Sequence, residues 1–198
     1  MTAGKIQFAE NEGTYVLKFL GEIRLTLCSS LESFLDNMFN DPDFSSVIID
    51  LSETSTIDST SLGILARLSI QAKKRFNLVP ILISTQNDIT RILLSMGFDS
   101  VFVLVREFDD LIKLPMNDLP CEDSTEPATQ ERVLNAHKVL MSLNEDNRKA
   151  FSELVKQLEK GKTSSDKDDE DDEDDKNNKD DKDDKDDEAK NKDDDSDS

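Results

Sequence analysis

The sequence predicts an α/β domain built on a mixed β-sheet, extended by a helical hairpin and an acidic tail. Three observations carry this. Two strand-like runs are joined by a tight turn, and helical and strand patterns alternate after them. Helical periodicity returns beyond a proline-containing linker. Composition then changes abruptly, to aspartate and lysine almost without apolar residues. The divisions expected are residues 1–114 for the α/β domain, 115–128 for the linker, 129–160 for the hairpin and 161–198 for the tail.

Ile6 to Phe8 is a short strand, Asn11-Glu12-Gly13 a turn, and Tyr15 to Leu20 a second strand that Gly21 breaks. From Leu25 to Phe39, Leu27, Leu31, Phe34, Leu35 and Met38 recur at intervals of three and four, the mark of a helix. Asn40-Asp41-Pro42 ends it. Val47 to Leu51 reads as a buried strand and Ser52 to Thr56 as a polar loop. A long helical pattern then runs from Leu62 to Phe76. Pro80 to Ser84 is a strand, Asn87-Asp88 opens a helix that Gly97 stops, and Val101 to Val105 is the last strand. Phe108 to Leu114 is a short helix. Strands that alternate with helices pair in parallel through right-handed crossovers.

Pro115 to Pro127 contains three prolines and several acids, and reads as a linker. In the first hairpin helix Thr129 is a candidate cap, and Val133, Ala136, Leu140 and Leu143 form a stripe. Asn144 caps the second, where Phe151, Leu154, Val155 and Leu158 recur and Gly161 is the stop. The pair is too small to bury a core alone. It docks on the α/β domain, on another copy, or on a partner.

The chain of 198 residues carries a formal charge of −20. Residues 166–198 hold 20 acidic residues against 7 lysines, a net −13, and are expected to be disordered because nothing in them offsets the entropy of ordering. The acidic balance and lack of a basic patch argue against direct nucleic-acid binding. No apolar run approaches the roughly 18–20 residues of a membrane span, and the N-terminus shows no signal-peptide pattern. Cys28 and Cys121 match no metal or redox spacing and read as free thiols in a reducing cytoplasm. His137, the single histidine, lies outside the α/β domain and reads as a surface residue. With no glycine-rich phosphate loop and no Cys/His cluster, neither catalytic nor metal-ligating residues are assigned, no cofactor is implied, and the chain reads as a non-enzyme.

The stretch that organises the chain is Asp58-Ser59-Thr60-Ser61-Leu62-Gly63, a carboxylate and three hydroxyls where a helix begins. Backbone N–H groups there lack intrahelical partners, and with the helix dipole they favour negative charge. Asp58 or Ser59 serves as the N-cap, and a serine in this position is also suited to phosphorylation. At 100° per residue, Leu62, Leu65, Leu68, Ala72 and Phe76 share the face that packs on the sheet. Ser59, Gly63, Ala66 and Ile70 follow another face, continued by Lys73 and Lys74. A small-residue stripe headed by a hydroxyl suits either a flat docking surface or helix packing inside the domain.

Taken together, Ile49-Asp50-Leu51-Ser52, Ile57 to Gly63, Thr90-Arg91-Ile92-Leu93 and Ser95-Met96-Gly97-Phe98 resemble the STAS domain, and within it the bacterial anti-sigma factor antagonists. The resemblance covers about residues 5–114. It implies a phosphorylation-switched module of transcription regulation that works by partner switching. Unmodified protein docks an anti-sigma factor with serine kinase activity, phosphorylation releases it, and a serine phosphatase resets it. The serine directly after the motif's aspartate is the acceptor in that family, which makes it Ser59 here, with Thr60 and Ser61 as rivals. Ser61 stands where the family usually has glycine. Asp58, Ser59, Gly63, Ala66 and Ile70 would then contact the partner. The alternative is an unphosphorylated STAS adaptor in a lipid or anion transport assembly. A small-ligand or nucleotide binder using the helix N-terminus is a third reading.

Overall fold

A computed structural model describes residues 4–106, 114–121 and 123–168, with side chains described through Gly161. Residues up to Lys162 group into one compact unit. It carries a six-stranded sheet. Strands β1 (Lys5–Asn11) and β2 (Thr14–Ile23) form a hairpin. A 3₁₀ turn, Leu25–Leu27, leads into α1 (Cys28–Asn40). Next come β3 (Ser46–Ile57), α2 (Ser59–Phe76), β4 (Ile81–Ile83), α3 (Asn87–Ser95) and β5 (Val103–Val105). A short strand β6 (Asn117–Asp118) precedes α4 (Glu126–Leu143) and α5 (Glu145–Asp168).

The strand order is β5-β4-β3-β2-β1-β6. Pairs β2–β3, β3–β4 and β4–β5 are parallel, while β1 is antiparallel to both β2 and β6. The sheet is therefore mixed, as the alternation of patterns predicts. Each parallel step moves the same way across the sheet, so right-handed crossovers bring successive helices to one face. Burial in β3 agrees: Val47, Ile49 and Leu51 are buried, while Ser46, Ile48, Asp50 and Ser52 are half-buried. Leu65, Leu68 and Ala72 of α2 are inaccessible, as are Leu17, Phe19, Ile49, Leu51 and Leu82 of the sheet. Phe76, expected on the same face, is only partly covered and packs against the rings of Phe39 and Phe44.

The β1–β2 turn shows how local chemistry sets register. Glu12 and Gly13 have φ of 50° and 77°, the pair of positive values that a two-residue turn needs to match strand twist. A side chain at Gly13 would also strike the Asp43 carbonyl. Gly21, expected to end β2, instead sits inside it at a register shift against β3, where Gly21 pairs with Thr54 and Glu22 with Thr56. It marks a bulge rather than a break. The same pairing corrects the polar loop expected over Ser52 to Thr56. These residues continue β3, and Thr54 is buried because its hydroxyl donates to the Phe19 carbonyl at 3.0 Å.

Three further boundaries differ from expectation. The strand expected from Val101 starts at Val103, because Phe98–Ser100 forms a 3₁₀ turn whose Phe98 fills the core, and it is not the last, since β6 follows it. The linker is partly structured: β6 adds to the edge at β1, and α4 begins at Glu126. Its N-cap is Thr125, whose hydroxyl accepts from the Ala128 N–H, rather than Thr129. Helix α5 runs through Gly161 to Asp168. A helical glycine costs about 1 kcal/mol relative to alanine, which does not by itself end a helix. Asn144 does cap α5, accepting from the Asn147 N–H at 2.7 Å. The helix expected at Phe108 to Leu114 falls mainly outside the described residues, as does the acidic tail beyond Asp168.

Two truncations on α2 should separate core from surface. Leu65 is fully buried, so Leu65→Ala is expected to lower unfolding stability by about 2–5 kcal/mol. Ile70 is 37% exposed, and Ile70→Ala should cost about half a kcal/mol or little more. Denaturant titration measures both, and equal losses would show that the Ile70 side of the helix is core as well.

Candidate functional site

The site forms where β3 hands over to α2. Asp58 has extended backbone, and its Oδ1 accepts from the Ser61 N–H at 2.8 Å, a side-chain cap on the third helical residue. Its Oδ2 accepts from the Leu25 N–H at 2.6 Å, and its own N–H donates to the Ile23 carbonyl at 3.1 Å. One residue thus joins the end of β2, the turn before α1 and the start of α2. An open cleft of about 410 Å³, lined in part by Arg24, Leu25, Thr26 and Ile57, adjoins it.

The three hydroxyls that follow are not equivalent. Ser61 is fully buried and its Oγ lies 3.4 Å from the Cys28 sulfur. Burial pushes the Cys28 thiol up to about 11, so its sulfur stays protonated at neutral pH. Thr60 is 5% exposed. Ser59 is only half-buried, and as the first helical residue it projects from the start of α2.

What meets Ser59 is His137, 78 positions away on α4. Its Nε2 lies 2.9 Å from Ser59 Oγ, and its Nδ1 lies 2.7 Å from the Val133 carbonyl. A carbonyl only accepts, so Nδ1 carries a proton; in the neutral ring Nε2 then accepts from the Ser59 hydroxyl. The ring is 3% exposed and packs edge-on against Phe151 of α5, with centroids 4.9 Å apart. The expectation of a surface histidine is therefore wrong. A lone histidine on an amphipathic helix gives no local sign of a partner on another element.

One turn along α2, Gly63 touches α4. A Cβ there would collide with the Ala136 carbonyl and come within 2.6 Å of the Ala136 methyl. The backbones approach this closely because residue 63 has no side chain and residue 136 has a small one. Ala66 is also fully buried. Of the residues expected to form a docking face, Gly63 and Ala66 are thus buried, Gly63 beneath α4 of the same chain. Asp58 and Ser59 are half-buried at the helix start. Ile70 remains exposed and lines a cleft of about 340 Å³ with Lys73, Lys74, Val79 and Val101.

Sequence reasoning also missed Glu32. This α1 carboxylate accepts from Arg67 of α2 at 2.7 Å and from Arg132 of α4 at 2.6 Å. The Arg132 side chain is 9% exposed, so the pair is largely withdrawn from water. At the other end of α4, Asn147 is 3% exposed and its amide donates to the Met96 and Leu140 carbonyls, each at 2.9 Å. These contacts tie the hairpin to α1, α2 and the end of α3.

Residues 5–111, more than half of the chain, match the STAS domain. The chain belongs to that family. The match covers the sheet, apart from β6, and α1 to α3, and leaves the α4–α5 hairpin outside it. Among solved structures, an anti-sigma factor antagonist from Mycobacterium paratuberculosis is 23% identical, with a TM-score of 0.47. That similarity covers 55% of this chain and 90% of the other. No curated protein matches the chain.

The STAS core should be sensitive to the double role of Asp58. Asp58→Ala removes a cap and leaves the Leu25 N–H without its acceptor, an expected loss of about 2 kcal/mol or more. Asp58→Asn keeps one acceptor oxygen for the two donors and should lose less. Chemical denaturation of both variants checks the order; equal stability of Asp58→Ala and wild type would remove the carboxylate from its structural role.

Proposed function

We propose that this STAS protein is a protein-binding module switched by phosphorylation of Ser59. It is a binding module rather than a catalyst, acting in the cytoplasm. The observation that carries the reading is the inequality of the three hydroxyls: Ser59 is only partly buried, while Thr60 and Ser61 are buried. Ser59 also heads the α2 face that contains Gly63, Ala66 and Ile70, so a charge placed on it falls at the edge of that surface. The N-terminus of α2 favours a phosphate through its dipole, with Asp58 as a neighbouring charge of like sign.

The motif's resemblance to anti-sigma factor antagonists supplies the partner class. The partner is an anti-sigma factor with serine kinase activity, and a serine phosphatase restores the unmodified state. In the unmodified protein the start of this face carries a neutral hydroxyl, and Gly63 and Ala66 lie buried beyond it. Phosphorylation adds a charge of about −1.5 to −2, and burying that charge unpaired against a partner weakens binding by several kcal/mol. Among the described residues no helix is long and apolar enough to cross a membrane. That is compatible with partners that are proteins.

The test is phosphopeptide mass spectrometry of the native protein, paired with binding titrations. Phosphate is expected on Ser59, and Ser59→Ala should abolish it while leaving partner binding intact. Ser59→Glu should weaken binding, though less than phosphate, since it adds a single charge. Melting curves must accompany the titrations, because Ser59 also bonds to His137. Full phosphorylation of Ser59→Ala would move the acceptor elsewhere. Wild-type affinity in Ser59→Glu would remove the charge switch and leave the adaptor reading.

A further inference from the structure

We infer that α4 occupies the α2 face as an intramolecular stand-in for a partner's helix, and that Ser59 is the latch holding it there. The inference rests on the reading of Ser59 as a switch and adds what the switch moves. The α2 face is a helix-binding surface with two requirements, both visible in α4. A small residue must sit over Gly63, as Ala136 does, and a hydrogen-bond acceptor must meet the Ser59 hydroxyl, as His137 Nε2 does. A trans partner that uses this face therefore presents an amphipathic helix of this kind, and it must displace α4 to do so.

Phosphorylation is incompatible with the closed arrangement. It replaces the hydroxyl proton that Nε2 accepts, and it adds a phosphorus with three further oxygens where Nε2 stands at 2.9 Å. An imidazolium could pair with that phosphate only by withdrawing. Phe151 packs on the ring, and the Ala136 backbone rests on Gly63, so the ring cannot withdraw without α4. The Glu32–Arg132 pair crosses the same interface and parts with it. The phosphate thus excludes any helix that packs over Ser59, whether α4 or a partner. Unmodified protein exchanges between a closed form and a partner-bound form, and phosphorylation disfavours both.

The experiment is amide hydrogen exchange on the full chain, with a labelled synthetic peptide of residues 126–161 as the trans probe. Ser59→Glu and Ala136→Leu should each speed exchange across α4 by about tenfold or more and leave the sheet amides at the wild-type rate. Ser59→Ala removes the latch bond and leaves the buried Nε2 of His137 without its donor, so it should also speed exchange across α4, while its face, without added bulk or charge, stays open to the peptide. The peptide should bind Ala136→Leu, whose face is vacated, at least about tenfold tighter than it binds wild type. It should bind Ser59→Glu weakly although that face is also open. Wild-type protection of α4 in both opening variants would overturn the inference. So would loss of protection in the sheet together with α4, since the hairpin would then be a fixed part of the core. Equal peptide binding by wild type and Ala136→Leu would overturn the helix-exchange element. None of these readouts needs a kinase. Absence of phosphate on Ser59 in the native protein would defeat the switch reading and leave the cover intact, and a defeated cover would leave the switch reading standing.

Discussion

The carboxylate of Asp58 is the constraint on which the rest of this structure depends. Its two oxygens take backbone N–H groups from two segments 36 positions apart, Leu25 and Ser61. That fixes the start of α2 relative to the turn that begins α1, at the end of the longest strand. The directions of the three hydroxyls follow from the fixed start. Ser61 turns inward to Cys28, Thr60 into the domain, and Ser59 toward α4. A helix that began one residue later would rotate the face by 100° and carry Ser59 away from His137.

Much of the fold is readable in the sequence because its signals are local. The strand Val47 to Leu51 is a β-branched and leucine run interrupted only by Asp50, and α1 and α3 repeat their apolar residues at three and four. The cap at Asp58 is legible for the same reason, since a carboxylate before a helical pattern satisfies free N–H groups. The failures are equally physical. Ser52 to Thr56 look like a loop because their side chains are polar, yet pairing with β2 satisfies their backbone, and one hydroxyl is buried by bonding to a carbonyl. Gly21 looks like a break because a bulge and a break call for the same residue.

The site is only partly legible. Gly63 in mid-helix signals a close approach, but nothing local says whether the approaching backbone belongs to the same chain. Ala136 answers that it does. His137 and Glu32 are invisible in advance because their roles come from partners 78, 35 and 100 positions away. Such contacts follow from topology, and single-sequence periodicity carries no topology beyond the element.

The short strand β6 has a consequence for the hairpin that follows it. It anchors the chain at the β1 edge, so only the seven residues between Asp118 and Glu126 join that anchor to α4. Fully extended they reach about 25 Å. A released α4 therefore stays in a small volume around its seat, at an effective concentration on the order of millimolar. A free competitor present at micromolar levels must hold the face about a thousandfold more tightly than α4 does to claim half of the molecules. Under the exchange inferred above, selectivity would fall to the tether as much as to the contact surface: weak helices would be screened out by a rival that never diffuses away.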